Sequence, residues 1–306
     1  MTSVHKILID TDIGNDIDDA YALAFALIHP QLEVLGISTV DHHVELRARL
    51  AQTIVKTTGK DIPVTIGAEG SPTKTRTPHL TTQLAWAAEH LSTATTYPLS
   101  SWEYFNQVAR EHPGEITLVC LGQLTNVAIA LDLYPSLKEN LKGLAIMGGE
   151  TVYFRREHNF ANDYLAADRV ISSGIETFLA TWSVSKQLTL DEITRQRFKA
   201  KGGPMLELLL TLQDVWGYQP VLYDLSPLLW LIEPGIFQTV PMHLRVESVG
   251  MFTRGCLISL EKHATGLPID ECVPYGFSYQ ESPEVWVSQD MNVAQAKEVF
   301  VQTLLG

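Results

Sequence analysis

Asp10, Asp12, Asp16, Asp18 and Asp19 place five carboxylates within ten residues, in the segment DTDIGNDIDDA, with no lysine or arginine among them. Carboxylates so close repel one another unless a cation sits among them, and an all-oxygen donor set suits a hard ion such as Ca2+ or Mg2+. The competing view is an acidic loop in which Asp16 or Asp18 merely caps the next helix. An EF-hand is excluded by spacing: counting from Asp10, its fifth position is Gly14 and its twelfth Tyr21, where an oxygen ligand and a glutamate are required.

Three more polar groups follow apolar runs: Asp41, His42 and His43; Gly122 to Asn126; and Gly148 and Gly149 with Glu157 and Asn159 downstream. His43 titrates in the neutral range, so it could bond a hydroxyl or donate a proton, or lie on a surface loop; with His42 it could also recruit a transition metal. Arg155 and Arg156 could meet a phosphate or carboxylate, or stay in solvent. Trp182, Trp216 and Tyr218 could stack on a base or belong to the core.

These groups need a scaffold, and the first two-thirds of the chain supplies its rhythm. Short apolar runs at 6–9, 33–40, 63–66, 116–120, 144–147 and 177–180 alternate with amphipathic stretches at 20–28, 45–57, 81–91, 102–111, 126–133 and 166–172. Such alternation predicts an α/β fold: an open, mostly parallel sheet with helices on both faces, Rossmann-like. Residues 189–231 read as mostly helical, broken at 202–204 and 217–220; strands at 237–244, 251–260 and 285–288 and a closing helix at 293–305 form a C-terminal extension. No internal repeat or linker is present, so 1–306 is expected to be one domain. In such sheets ligands bind beyond the carboxyl ends of the strands, which is where all four polar groups fall.

Composition narrows the partners. With 306 residues, 45% hydrophobic and 19% charged, the chain can bury a large core. A net charge of −13 and a pI near 5.2 argue against nucleic-acid polymers and anionic membranes. Cys120, Cys256 and Cys272 are an odd, scattered set, which suggests a reducing compartment. The N-terminus lacks a basic region followed by an apolar stretch, and no run could span a bilayer, so a cytoplasmic location is expected.

The opening segment resembles the DTDPGxDDA of the nucleoside hydrolase family, the inosine–uridine-preferring ribohydrolases, with Ile13 in the proline position and two extra residues before the final Asp pair. LGQLTNVAIAL (121–131) is similar to LGPLTNxALAL, LAIMGG (144–149) to a strand ending in MGG, and EHNFANDYLAA (157–167) to EFNxxxDPEAA. Tyr223-Asp224 falls where the family has His-Asp, and Thr253-Arg254-Gly255 matches a C-terminal TRG. A phosphatase of the haloacid-dehalogenase type shares the Asp-x-Asp opening but normally has Thr or Val where Gly14 stands.

The resemblance implies calcium-dependent hydrolysis of a ribonucleoside to ribose and free base, in nucleoside salvage. It implies that Asp12, Asp19, Asp224 and the main-chain carbonyl of Thr125 bind Ca2+, that Asp12 is also the general base, that Asp18 holds the ribose 2′ or 3′ hydroxyl, that Glu157 and Asn159 hold the far side of the sugar, and that Met147 lies against it. It also implies a homo-oligomer, dimer or tetramer, working on a small nucleoside. Two departures bear on the leaving group. Tyr223 replaces a histidine, and a phenol with an ordinary pKa of about 10 is a hydrogen-bond donor rather than an acid at neutral pH. His43 occupies the place of a ribose-holding Asn. Both keep two alternatives open: a modified nucleoside or nucleotide as substrate, or a nucleoside-binding homologue with little turnover.

Overall fold

A computed structural model describes residues 4–73, 77–260 and 282–306. Its centre is a nine-stranded sheet in the order β3-β2-β1-β4-β5-β6-β9-β7-β8. The strands are β1 (His5–Thr11), β2 (Leu32–Thr39), β3 (Val64–Ile66), β4 (Ile116–Cys120), β5 (Leu141–Met147), β6 (Thr177–Ala180), β7 (Phe237–Val246), β8 (Leu257–Ser259) and β9 (Glu284–Met291). The first six and β9 run parallel, whereas β7 is antiparallel to both β9 and β8. The central strands are apolar and buried on both faces, as β4 (ITLVC) illustrates, because helices cover both sides.

On one face lie α1 (Asp18–Ile28), α2 (Val44–Thr57) and α3 (Thr82–His90). On the other are α4 (Ser101–Glu111), α5 (Thr125–Leu133), the short α6 (Leu137–Asn140) and α7 (His158–Asn162), and α8 (Tyr164–Ile171). After β6 come α9 (Trp182–Ser185), α10 (Glu192–Lys201), α11 (Pro204–Trp216) and α12 (Leu225–Ile232), and α13 (Val293–Leu305) closes the first face. Helix α1, DDAYALAFALI, is buried for all but its last residue, so its sequence shows little amphipathic contrast. Helix α4 has a reciprocal Ser100–Glu103 capping box.

The expected strand at 251–260 shortens to β8. Residues 251–255 form a turn with Met251 and Phe252 exposed, and Gly255 lies against the backbone of Phe160 and Ala161. No described helix is long and apolar enough to cross a membrane. Cys120 and Cys256 are free and buried; Cys272 lies outside the described residues.

What positions the site is the strand order. From β1 the chain builds outward through β2 to β3, then returns to the other side of β1 with β4. The loops leaving the carboxyl ends of β1 and β4 therefore diverge and leave a crevice, the usual ligand position in this architecture.

Candidate active site

The loop after β1 sits at that crevice, and its side chains divide by chemistry. Ile13 and Ile17 are fully buried and anchor it in the core. Gly14, at φ +102°, makes a turn that an L side chain rarely adopts. The backbone carbonyls face neighbouring donors: Arg47 reaches those of Asp12 and Ile13, Thr81 that of Gly14 and Gln83 that of Asp16. The carboxylates are left to line a cavity of about 350 Å3.

Among the described residues Arg47 is the largest fully buried side chain. Besides the two carbonyls it donates from Nε to the His42 carbonyl (2.8 Å) and from Nη2 to Asn15 Oδ1 (3.1 Å) and Asp41 Oδ2 (3.0 Å). Asn15 in turn donates to Asp12 Oδ2 at 2.7 Å. One guanidinium thus ties the β1 loop to the β2 loop. Gly122, after β4, permits the remaining close approach: a Cβ there would lie 3.0 Å from the Asp12 amide nitrogen.

Asp12, Asp18, Asp19, Asp224, Glu157, Asn159 and Met147 all line the cavity. Asp18, Asp19 and Asp224 come closest together, with one oxygen from each within 4.8 Å of the others. This trio includes Asp18, from which the resemblance implies a sugar contact, in place of Asp12. Three buried carboxylates converging in this way could hold a hard metal ion. Neither Asp16 nor Asp18 is the N-cap of α1; that position is Ile17, which makes no side-chain cap bond. Burial is the main force raising the proton affinity of Asp18, Asp19 and Asp224 well above the ordinary carboxylate range, and their neighbouring carboxylates add to it. Asp12 is raised less, because the Arg47 charge opposes its burial. Behind them Asp10 is pushed up to about 7 by burial, although Ser38 and Asn126 donate to its Oδ1.

On the opposite wall Glu157 caps α7, accepting from the amides of Gly149, Asn159 and Phe160 at 2.9, 2.9 and 3.1 Å. Burial raises its pKa against those bonds. Asn159 spends its amide nitrogen on the carbonyls of Leu121 (2.7 Å) and Met147 (3.2 Å).

Trp182 and Tyr223 line the remaining side together with Arg155 and His158. The Arg155 guanidinium lies 3.9 Å from the Trp182 ring centre, and Tyr223 is hydrogen-bonded to Trp182. Burial, then Asp18, raises the Tyr223 phenol above its usual pKa.

Two expected residues stand outside this lining. His43 is the N-cap of α2, at φ 63°, and its amide donates to Glu69 at 2.7 Å. Thr125 begins α5 with its hydroxyl donating to Asp163 at 2.7 Å. Neither Trp216 nor Tyr218 lines the cavity; Tyr218 is exposed and packs on Trp216. The residues of the lining and its anchoring that the sequence does not single out are Asn15, Arg47 and His158, whereas Asp41 belongs to the polar group already marked after β2. For those three, only the HN within EHN, beside Glu157, offered any signal.

The family model described as inosine-uridine preferring nucleoside hydrolase matches residues 7–298. The chain belongs to that family. Among the similar members of the nucleoside hydrolase family is the non-specific ribonucleoside hydrolase RihC of Escherichia coli strain SMS-3-5, 31% identical over 97% of each chain. The pyrimidine-specific ribonucleoside hydrolase RihA of Enterobacter sp. strain 638 is 29% identical over 82% of this chain and 87% of its own. A plant nucleoside hydrolase structure, PpNRh1, superposes with a TM-score of 0.85 over 99% of both chains at 22% identity. This nucleoside hydrolase is accordingly an N-glycosyl hydrolase of ribonucleosides.

Proposed function

We propose that the chain hydrolyses the N-glycosidic bond of a ribonucleoside with a calcium ion at the acidic floor of this cavity, Asp12 serving as general base. The observation that carries this is the convergence of Asp18, Asp19 and Asp224 beside Asp12 at the crevice between β1 and β4. Asp19 and Asp224 would hold the ion with Asp12 and the Thr125 carbonyl, as the resemblance implies; Asp18 is close enough to serve as a ligand or to receive a ribose hydroxyl. When bound, such an ion orients hydroxyls and makes a nearby water easier to deprotonate.

The chain's own groups do the rest. Asp12, fixed by Asn15, accepts the proton of the attacking water. Asn159 presents its carbonyl oxygen to the sugar, because its NH2 is already committed to backbone. Glu157 offers further acceptor capacity on the same side, and Met147 closes the wall. As the C–N bond breaks, positive charge grows on the anomeric carbon, and the surrounding carboxylates favour it. Tyr223 and Trp182 would meet the base.

Free, buried cysteines support placement in cytoplasmic nucleoside salvage, and a homo-oligomer is the assembly implied by resemblance. Ribose release should be assayed on a panel of nucleosides and nucleoside 5′-monophosphates, before and after chelation and calcium return. Release restored by calcium and abolished by Asp12→Ala supports the proposal; chelator-resistant release rejects the metal, and nucleosides bound but never cut reject the hydrolase.

A further inference from the structure

The lining of the cavity falls into two chemical halves. One is an acidic floor that matches sugar hydroxyls. The other is the aromatic wall of Trp182 and Tyr223, and the base of a nucleoside must lie toward it. Two groups that can carry positive charge join this lining, and they address different ends. His158 is near enough to Asp12 and Glu157 to favour their ionised forms, on the sugar side. Arg155 exerts the same influence on Tyr223, on the base side.

Arg155 is unusual in what it lacks. The cavity is rich in carboxylates, yet none of the ion pairs among the described residues involves Arg155. Its guanidinium instead rests 3.9 Å from the centre of the Trp182 ring. Lys186 Nζ lies 4.3 Å from the centre of the same ring, so the indole gathers two cations. Stacking uses the face of a guanidinium and leaves its in-plane N–H donors for an acceptor from elsewhere.

We propose that Arg155, braced on Trp182, is a catalytic residue that stabilises the base as it departs as an anion. This rests on the ribonucleoside-hydrolase reading and deepens it. The C–N bond breaks with its electron pair staying on the base nitrogen, and the water oxygen bonds to the anomeric carbon while a water proton passes to Asp12. The anionic base leaves opposite the guanidinium, then takes up that proton through solvent, which restores the Asp12 carboxylate. The sum is nucleoside plus water giving ribose plus neutral base.

The test compares uridine and inosine, whose bases are poor leaving groups, with p-nitrophenyl riboside, whose leaving group is stable as an anion in water. Losing a charge-stabilising donor of this kind should lower kcat for the nucleosides by about 10- to 100-fold in Arg155→Ala, with only about a threefold change for p-nitrophenyl riboside. Arg155→Lys, which keeps the charge, should recover part of the nucleoside rate. Equal losses on both substrate types, or no recovery with lysine, overturn the assignment while leaving the hydrolase intact. If the native enzyme turns over neither substrate type, the hydrolase reading itself fails and this assignment falls with it.

Discussion

Replacing Arg47 with methionine would remove one charge and the five side-chain hydrogen bonds through which this residue ties the loops after β1 and β2 together. Its five N–H donors meet five acceptors: the carbonyls of Asp12, Ile13 and His42, the Asn15 amide oxygen and the Asp41 carboxylate. The Arg47 and Asp41 side chains are 1% and 6% exposed, so water cannot replace the lost partner. Removing one member of such a buried pair typically costs about 3–5 kcal/mol. For a chain of 306 residues, 4 kcal/mol corresponds to a fall in Tm of about 6 °C. Urea unfolding followed by tryptophan fluorescence, in the presence of chelator, measures the loss directly. Arg47→Lys should give an intermediate loss, because a single ammonium cannot serve the same fork of acceptors. Adding Asp41→Leu to Arg47→Met should restore part of the stability, since no buried carboxylate is then left alone. A loss below about 1 kcal/mol for Arg47→Met would show that the loops hold together without the guanidinium.

Other expectations follow from the acidic floor. Asp224→Asn should weaken divalent-cation binding at least about tenfold by titration calorimetry, and an unchanged Kd would place the ion elsewhere. Because burial holds Asp18, Asp19 and Asp224 well above the ordinary carboxylate pKa, cation binding must expel protons; affinity should therefore rise with pH, and proton release should appear as a buffer-dependent enthalpy. Asp10 is raised from 3.8 to about 7, so the fold favours its neutral form, and the stability it contributes is full below about pH 4 and lost as pH climbs through 7. Without metal, Asp10→Asn should remove that decline, of roughly 4 kcal/mol at most, and parallel pH–stability curves for the two proteins would contradict it. Gly122→Ala would press a methyl group against Asp12 and cost about 1–3 kcal/mol, with a loss of kcat visible in the same preparations.

The sheet was legible in the sequence because its parallel strands are short apolar runs at regular intervals, and β4 and β6 fall where those runs lie. The helices with a buried stripe were equally visible. Three short helices, α6, α7 and α9, were not, since four or five residues cannot display a period; α7 is defined by the Glu157 cap rather than by its own composition. The strand expected at 251–260 failed for a related reason: Met251 and Phe252 are apolar but exposed, and composition does not distinguish that from burial. At the site, the carboxylates announced themselves by repeating. Arg47 did not, because on the helical pattern of α2 it reads as one more solvent-facing charge, and only the position of the β1 loop makes it interior. His43 illustrates the converse. The sequence left it open between the pocket and a surface loop, and its αL backbone and amide bond to Glu69 put it at the entrance to α2, outside the cavity lining.

The Glu157 carboxylate holds the Asn159 and Phe160 amides at the start of α7 and the Gly149 amide after β5, while it forms part of the wall that meets the sugar. One group therefore answers to two clients. Ligand occupancy and the persistence of that single helical turn become coupled equilibria, and deuterium uptake at Asn159 and Phe160 would register a ribose that touches neither amide.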